Sequence, residues 1–442
     1  MERVALIGEN SIEYIDALIE IWNNEDSAVL LDWRLPLEKS FELMKQAGVK
    51  RCIIEGRYID KNIIKKYNDI EIHEYNSTYN DARLLPDTVY RKYMNNMSKN
   101  EAVVLYSSGT TGMMKGVILT HYALSCNADA IIEYMDLQRS DCIYIVKSLT
   151  HSSSLTGELL VGLRAHINIL ISKTIIPPRY ILSKIADYSV TILCLNPMLL
   201  DMFVSETERK NYDIKTLKKV YCSGGILNDH LYQKANECLK GVELYNVYGL
   251  TEAGPRVTAQ RKNSKRNNSV GIPIKGVDIK IVSDDGYEVK NGEAGLVYVS
   301  TPSIYSGYIS GDSKSNLKHG GWINTKDLGY LDCFGELHII GRSDDMVVIQ
   351  AHNIYAPDVE RILLKCVGVK ECCVTKCYSQ GKEILGCMYV GDEIDNLGVY
   401  STLKKQLAPY EIPQIYKKVN EIPRNYRGKI NREEIGTILT NL

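Results

Sequence analysis

Short apolar runs separated by amphipathic segments of helical spacing constrain this chain more than any other feature. Val4 to Ile7 is strand-like, and Ser11 then starts a segment in which Ile12, Ile15, Leu18, Ile19 and Trp22 fall on one helical face. Ala28 to Leu31 is a second apolar run. Pro36 suits the first turn of a helix carrying Leu37, Phe41 and Met44, and Cys52 to Ile54 is the next strand. Strands joined by helices lie parallel, with the helices covering the sheet. The alternation returns around Asp141 to Val146, Thr191 to Leu195 and Lys219 to Cys222. Between Val270 and Ile340 it gives way to short β-like segments and turns such as Asp285-Gly286 and Asn291-Gly292. Beyond Gly341-Arg342 a last stretch has helices and strands of its own. The expectation is an α/β fold: residues 1–342 form a large domain of helix-covered parallel sheets plus a β-rich part, and residues 343–442 a small α+β domain.

Composition removes several classes of function. The 53 Lys+Arg against 54 Asp+Glu leave a formal charge of -1, so binding to a nucleic-acid backbone by bulk charge is not expected. No apolar run is long enough to span a bilayer. The first residues carry acids through their apolar stretch and lack a small-residue cleavage site, so no secretory signal is read and the expected location is cytoplasmic. Twelve Cys are too dilute for a disulfide framework. Cys366, Cys372, Cys373 and Cys377 lack paired CxxC spacing and are expected as small buried residues rather than metal ligands. The basic segment Arg261 to Asn268 reads as a solvated loop.

The most informative segment is VVLYSSGTTGMMKGVILTH, Val103 to His121. An apolar strand runs into a loop of small and hydroxylated residues: Ser107, Ser108, Gly109, Thr110, Thr111 and Gly112, with Lys115 beyond them. Such a loop can turn amides and hydroxyls toward phosphate oxygens, the glycines allowing close backbone approach and Lys115 adding charge. A Walker-type loop would need GK[ST]; here Met114 precedes Lys115 and Gly116 follows it, so that alternative fails. His121, at the end of the second apolar run, is read as structural.

YSSGTTGMMKG resembles the phosphate loop of the adenylate-forming superfamily, which comprises acyl- and aryl-CoA synthetases, nonribosomal peptide adenylation domains and luciferases. Five further motifs follow in that family's order: CSGG at Cys222 to Gly225, NVYGLTE at Asn246 to Glu252, GWINTKD at Gly321 to Asp327, GRSDD at Gly341 to Asp345, and PRNYRGK at Pro423 to Lys429. The resemblance implies that Asn246, Tyr248 and Gly249 hold the adenine beside Gly224 and Gly225, and that Thr251 meets the α-phosphate. Glu252 is implied as the Mg²⁺ ligand, suited to it as a hard oxygen donor. It likewise implies that Asp327 accepts the ribose hydroxyls with Arg342 beside it, that Lys429 is the catalytic lysine, and that Asp344 is the hinge of a mobile C-terminal domain. His151 and Ser152 fall where the family has the edge of the acyl pocket, although His151 also reads as a satisfied core histidine. Amino-acid-activating relatives commonly carry an acid at the position of Ser152, so a neutral-tailed aryl or acyl acid is the expected substrate.

The chain starts about where the family's first sheet motif starts, so the large domain reads as N-terminally shortened. Lys326 replaces a usual Gly in the ribose motif, Met113-Met114 replace a small residue and Pro, and Ala351 stands where thiol-transferring members have Gly. The function implied is an ATP- and Mg²⁺-dependent acid–thiol ligase. It would form an acyl- or aryl-adenylate with release of pyrophosphate, then pass the acyl group to CoA or to the phosphopantetheine of an acyl or peptidyl carrier protein. Two alternatives stay open: a carrier-loading or amide-forming enzyme that does not use CoA, and a non-catalytic nucleotide-binding regulator. Partners beyond the small acid and a carrier protein are limited to a second copy in a homodimer; nucleic acid and membrane are not expected.

Overall fold

In the computed structural model, which describes the chain apart from residues 78–80, 109–113, 174–176, 263, 265–268, 284, 310–316, 319, 350–351, 425–429 and 442, the chain separates into two compact units, Met1–Ile340 and Gly341–Leu442. The first begins as its periodicity demands. Strand β1 (Arg3–Ile7) leads to a helix, Ile12–Asn23, that starts where Ser11 Oγ accepts the Tyr14 amide at 2.9 Å. The helix buries Ile15, Leu18, Ile19 and Trp22, and the Trp22 indole donates to the Ala102 carbonyl at 2.9 Å. Pro36 lies just ahead of the next helix, Leu37–Gln46, in extended conformation rather than within its first turn.

Strands β2 (Ser27–Leu31) and β3 (Arg51–Glu55) flank β1 in parallel, and β4 (Glu71–Tyr75) pairs with β3. Every residue of β2 is buried, as a strand covered on both faces requires. After the short strand β5 (Arg83–Leu84) come β6 (Glu101–Ser108), parallel to β2, and β7 (Met114–Thr120), antiparallel to β6. The two strands pair from Ser108 opposite Met114 outward, and residues 109–113 of the suspected phosphate loop lie outside the described residues. His121 does not end the second apolar run; it opens the helix His121–Met135, capped by Thr120 Oγ1 on the Ala123 amide at 3.0 Å.

The second sheet runs in the spatial order β13-β12-β11-β10-β8-β9-β5, with Ile272–Pro273 beyond β13. Its strands are β8 (Cys142–Ile145), β9 (Asn168–Ile171), β10 (Ile192–Leu195), β11 (Lys219–Cys222), β12 (Glu243–Gly249) and β13 (Arg256–Ala259). Alternate side chains serve opposite faces. Ile143, Ile145, Ile192, Cys194 and Tyr221 join the core shared with the first sheet, whereas Tyr144, Leu193, Leu195 and Val220 pack under the helices Pro178–Asp187 and Pro197–Arg209. An antiparallel sheet of Asp278–Val282, Gly295–Ser300 and Trp322–Leu331 makes the β-rich part.

The second unit has its own core around the strands Val369–Ser379, Lys382–Gly391 and Ile415–Lys418 and the helices Ala356–Leu363 and Arg432–Thr440. Cys372, Cys373 and Cys377 are buried in it and Cys366 is half-buried. Arg432 binds Glu360 Oε1 at 2.5 Å, Asp345 Oδ1 at 3.2 Å and the Val374 carbonyl at 2.7 Å, which satisfies a guanidinium that burial alone would not tolerate. Among the described residues, no helix is long and apolar enough to cross a membrane.

Candidate active site

The turn that follows β12 assembles most of the suspected chemistry. Gly249 sits where a Cβ would lie 2.0 Å from the Pro255 carbonyl oxygen, so only glycine lets the chain fold back on itself here. The return is closed by the Leu250 amide on that same carbonyl at 2.9 Å, and it presents Thr251 and Glu252 in the short helical turn Thr251–Ala253. Thr251 Oγ1 lies 3.2 Å from Ser152 Oγ, so a residue expected at the acyl side touches one expected at the α-phosphate.

Glu252 Oε1 accepts the Tyr308 hydroxyl at 3.0 Å, and the Glu252 carbonyl accepts the Tyr305 amide at 2.9 Å. Tyr308 pairs with Val117 of β7, and Lys115 of that strand holds its ammonium 5.6 Å from the Tyr308 ring centre. Burial, with the Glu252 charge, pushes the Tyr308 phenol up, so it remains a hydrogen-bond donor to the carboxylate. Through this one tyrosine, the hairpin of the suspected phosphate loop and the Thr251 turn meet. Neither Tyr305 nor Tyr308 was singled out from the sequence, where they lie in a segment with no motif. Half-buried Glu252 keeps an oxygen beyond the one on Tyr308, and a lone carboxylate shared with phosphates suits Mg²⁺.

On the nucleoside side, Tyr248 donates to Asp327 Oδ2, and the Asp327 amide is fixed by Thr325 Oγ1 at 3.1 Å. Asp327 is 7% exposed, so its carboxylate is held in place rather than solvated. Asn246 is deeper than a simple adenine contact needs: its Nδ2 donates to the Ser269 carbonyl at 3.1 Å and its amide to Gln260 Oε1 at 2.7 Å. Gly224 has φ +86, the left-handed region, and Gly225 packs against Pro197, where a Cβ would meet Cγ at 3.3 Å. Lys326, the departure in the ribose motif, has φ +61, a conformation in which the usual Gly would carry no strain.

His151, half-buried, precedes the helix that begins at Ser152, with its amide on the Ser148 carbonyl at 3.1 Å. Behind it lies Asp32, 2% exposed at the end of β2. Burial would raise that carboxyl, but Arg34, with its Nε at 2.8 Å, and the charge of His151 hold it below the usual range.

Ser107 and Ser108 end β6. Gly109, Thr110, Thr111, Gly112, Met113, Ala351 and Lys429 lie outside the described residues. Arg342 and Asp344 belong to the second unit, Asp344 in the short turn Ser343–Asp345.

A family model described as AMP-binding enzyme matches residues 1–309. The chain is 25% identical over 460 residues to the fatty acid–[acyl-carrier-protein] ligase ScoC of Streptomyces coeruleorubidus, covering 98% of this chain and 86% of that protein. It is 24% identical over 453 residues to a 2-succinylbenzoate–CoA ligase of Enterococcus faecalis, covering 99% and 88%. Among solved structures, ATP-bound MatB from Rhodopseudomonas palustris matches with a TM-score of 0.86 at 21% identity, over 100% of this chain and 89% of that one. The o-succinylbenzoate CoA synthetase MenE from Bacillus subtilis, in complex with ATP and magnesium ion, matches with a TM-score of 0.83 at 22% identity, over 98% and 89%. At these identities the structural likeness establishes the fold.

Proposed function

The chain belongs to the AMP-binding enzyme family, the adenylate-forming superfamily its motifs resemble, and from that premise we propose that it activates a carboxylic acid with ATP and hands the acyl group to a thiol. The observation that carries this reading is the contact of Ser152 with Thr251, one residue from the Glu252–Tyr308–Lys115 group. An acid carboxylate held beside Ser152 stands next to an α-phosphate held by Thr251, which is the proximity that in-line displacement needs. The carboxylate oxygen bonds to the α-phosphorus, the bond to the bridging oxygen breaks, and pyrophosphate leaves. In the second step a thiol displaces AMP from the acyl carbon.

Lys115 and the hairpin supply positive charge and donors for the phosphates. Glu252 would hold Mg²⁺, whose charge offsets that of the phosphates. Tyr248 and Asp327 fix the nucleoside, and Lys429 is the ammonium that stabilises the charge developing between carboxylate and phosphorus. The ScoC and 2-succinylbenzoate ligase relatives, each matched over nearly the whole chain, support a carrier-bound or a CoA thiol as acceptor.

The test is acid-dependent exchange of pyrophosphate into ATP over a panel of acids. Exchange is expected with one acid class and to fall about a hundredfold or more in Lys429→Ala; undiminished exchange in that variant would remove the mechanism. Acyl transfer to CoA and to a carrier protein, measured side by side, then assigns the acceptor.

A further inference from the structure

The crossovers of the second sheet change direction at β8. The chain goes from β8 to β9 on one side, then returns past β8 to β10 on the other. In sheets wound this way, ligands bind in the crevice outside the carboxyl ends of the strands at the reversal. Lys147 lies two residues past the end of β8, at that point. Its Nζ is 2.9 Å from Glu158 Oε1; the Glu158 side chain is wholly buried and that of Lys147 is 11% exposed. Glu158 belongs to the crossover that starts at Ser152, in the stretch Leu155–Leu160 where the helix widens to π-helical pairing, a local irregularity frequent at functional sites.

A third charge completes the group. Arg256, 3% exposed on β13, donates to the Tyr134 hydroxyl at 2.7 Å, and its Nη2 lies 3.4 Å from where a side chain on Gly157 would begin. Burial pushes the Glu158 carboxyl up, against the pull of Lys147, Ser154 and Arg256. Lys147 pairs with this carboxylate and the charge of Arg256 also acts on it, in an interior where an uncompensated charge is costly. Lys147 has three N–H donors and, among the described residues, one carboxylate partner within ion-pair distance. Core packing gives no reason for an excess positive charge here; an anionic ligand does.

We propose that Lys147, Glu158 and Arg256 form the far wall of the acid pocket, and that the substrate is a dicarboxylic acid whose second carboxylate pairs with Lys147 and Arg256. The inference rests on the ligase reading above and names its substrate class. Ser152, beside the reacting end, and Glu158 belong to the same crossover segment. The proposed second carboxylate differs from the neutral tail expected from Ser152.

The experiment pairs diacids with monoacids of matching length, adipate with hexanoate and terephthalate with benzoate, in pyrophosphate exchange and in ligand-induced thermal shift. The wild-type chain should favour one diacid over its monoacid by thirtyfold or more in kcat/KM. That preference should fall at least tenfold in Arg256→Gln and in the double variant K147M/E158Q, which removes the ion pair as a unit, leaves the net charge of the group unchanged and so guards against simple misfolding. Equal use of both acids by the wild type, or a loss shared equally by both in the variants, overturns the proposal. Diacid binding that Arg256→Gln abolishes, without exchange for any acid, upholds the subsite and removes the ligase reading; neither binding nor exchange removes both.

Discussion

A phenol that donates to one oxygen of Glu252 aims the carboxylate, as holding a shared Mg²⁺ would require. Tyr308→Phe keeps the ring under Lys115 and removes the hydroxyl that donates to Glu252. The Mg²⁺ concentration for half-maximal pyrophosphate exchange should rise roughly tenfold, as loss of a charged hydrogen bond would give; an unchanged Mg²⁺ titration would show that Tyr308 does not position Glu252. His121 offers a second residue-level test. It is buried edge-on against Trp22 at 5.8 Å, and burial lowers its pKa from 6.5 to about 4. The unfolded chain takes up this proton near pH 6.5 and the folded chain only near pH 4, so the unfolded state binds more protons in that window and stability falls as pH drops through it. Replacing His121 by Gln should flatten the decline of the thermal midpoint between pH 7 and 5. The two kinds of residue differ in how they could be foreseen. Thr251 and Glu252 were named because NVYGLTE is one of the motifs that carry the family resemblance. Lys147 and Glu158 were not: each is a single charge inside an apolar run, and nothing local says that the runs face one another.

Elements were more legible than their pairings. The apolar runs at Val4, Ala28 and Cys52 each became a strand of one parallel sheet, because helices between them forbid hairpins. The periodicity could not show that β6 and β7 would pair as a hairpin, nor that the chain would return past β8, since both are decided by contacts distant in sequence. The turn after β12 gives an element-scale prediction. A methyl at Gly249 meets backbone at 2.0 Å, which cannot move aside as a flexible side chain could. Gly249→Ala should therefore cost about 2 to 3 kcal/mol in urea unfolding, at the upper end of overpacking, and should displace Thr251 and Glu252 enough to depress exchange. Ser11→Ala, which removes a cap far from that turn, should cost about 1 kcal/mol and leave exchange intact. If the two variants were equally active, the turn would not position the reacting groups.

At the scale of the whole chain, the six motifs divide unevenly between two units with separate cores. The suspected phosphate loop, Thr251, Glu252, Tyr248 and Asp327 all lie in Met1–Ile340, while Lys429 lies in Gly341–Leu442. A division of labour follows. In the proposed mechanism, groups of the first unit hold the nucleotide and an ammonium from the second stabilises the displacement. A chain ending at Ile340 should unfold cooperatively and be stabilised by ATP, by about 2.7 kcal/mol at a hundred times its Kd. The same fragment should catalyse acid-dependent exchange at least a hundredfold more slowly than the whole chain, since one charge-stabilising group is missing. Binding with loss of turnover would separate the two tasks as the motif positions do. Full-rate exchange by the fragment would show instead that the first unit carries the entire reaction and that Lys429 has no part in the adenylation step.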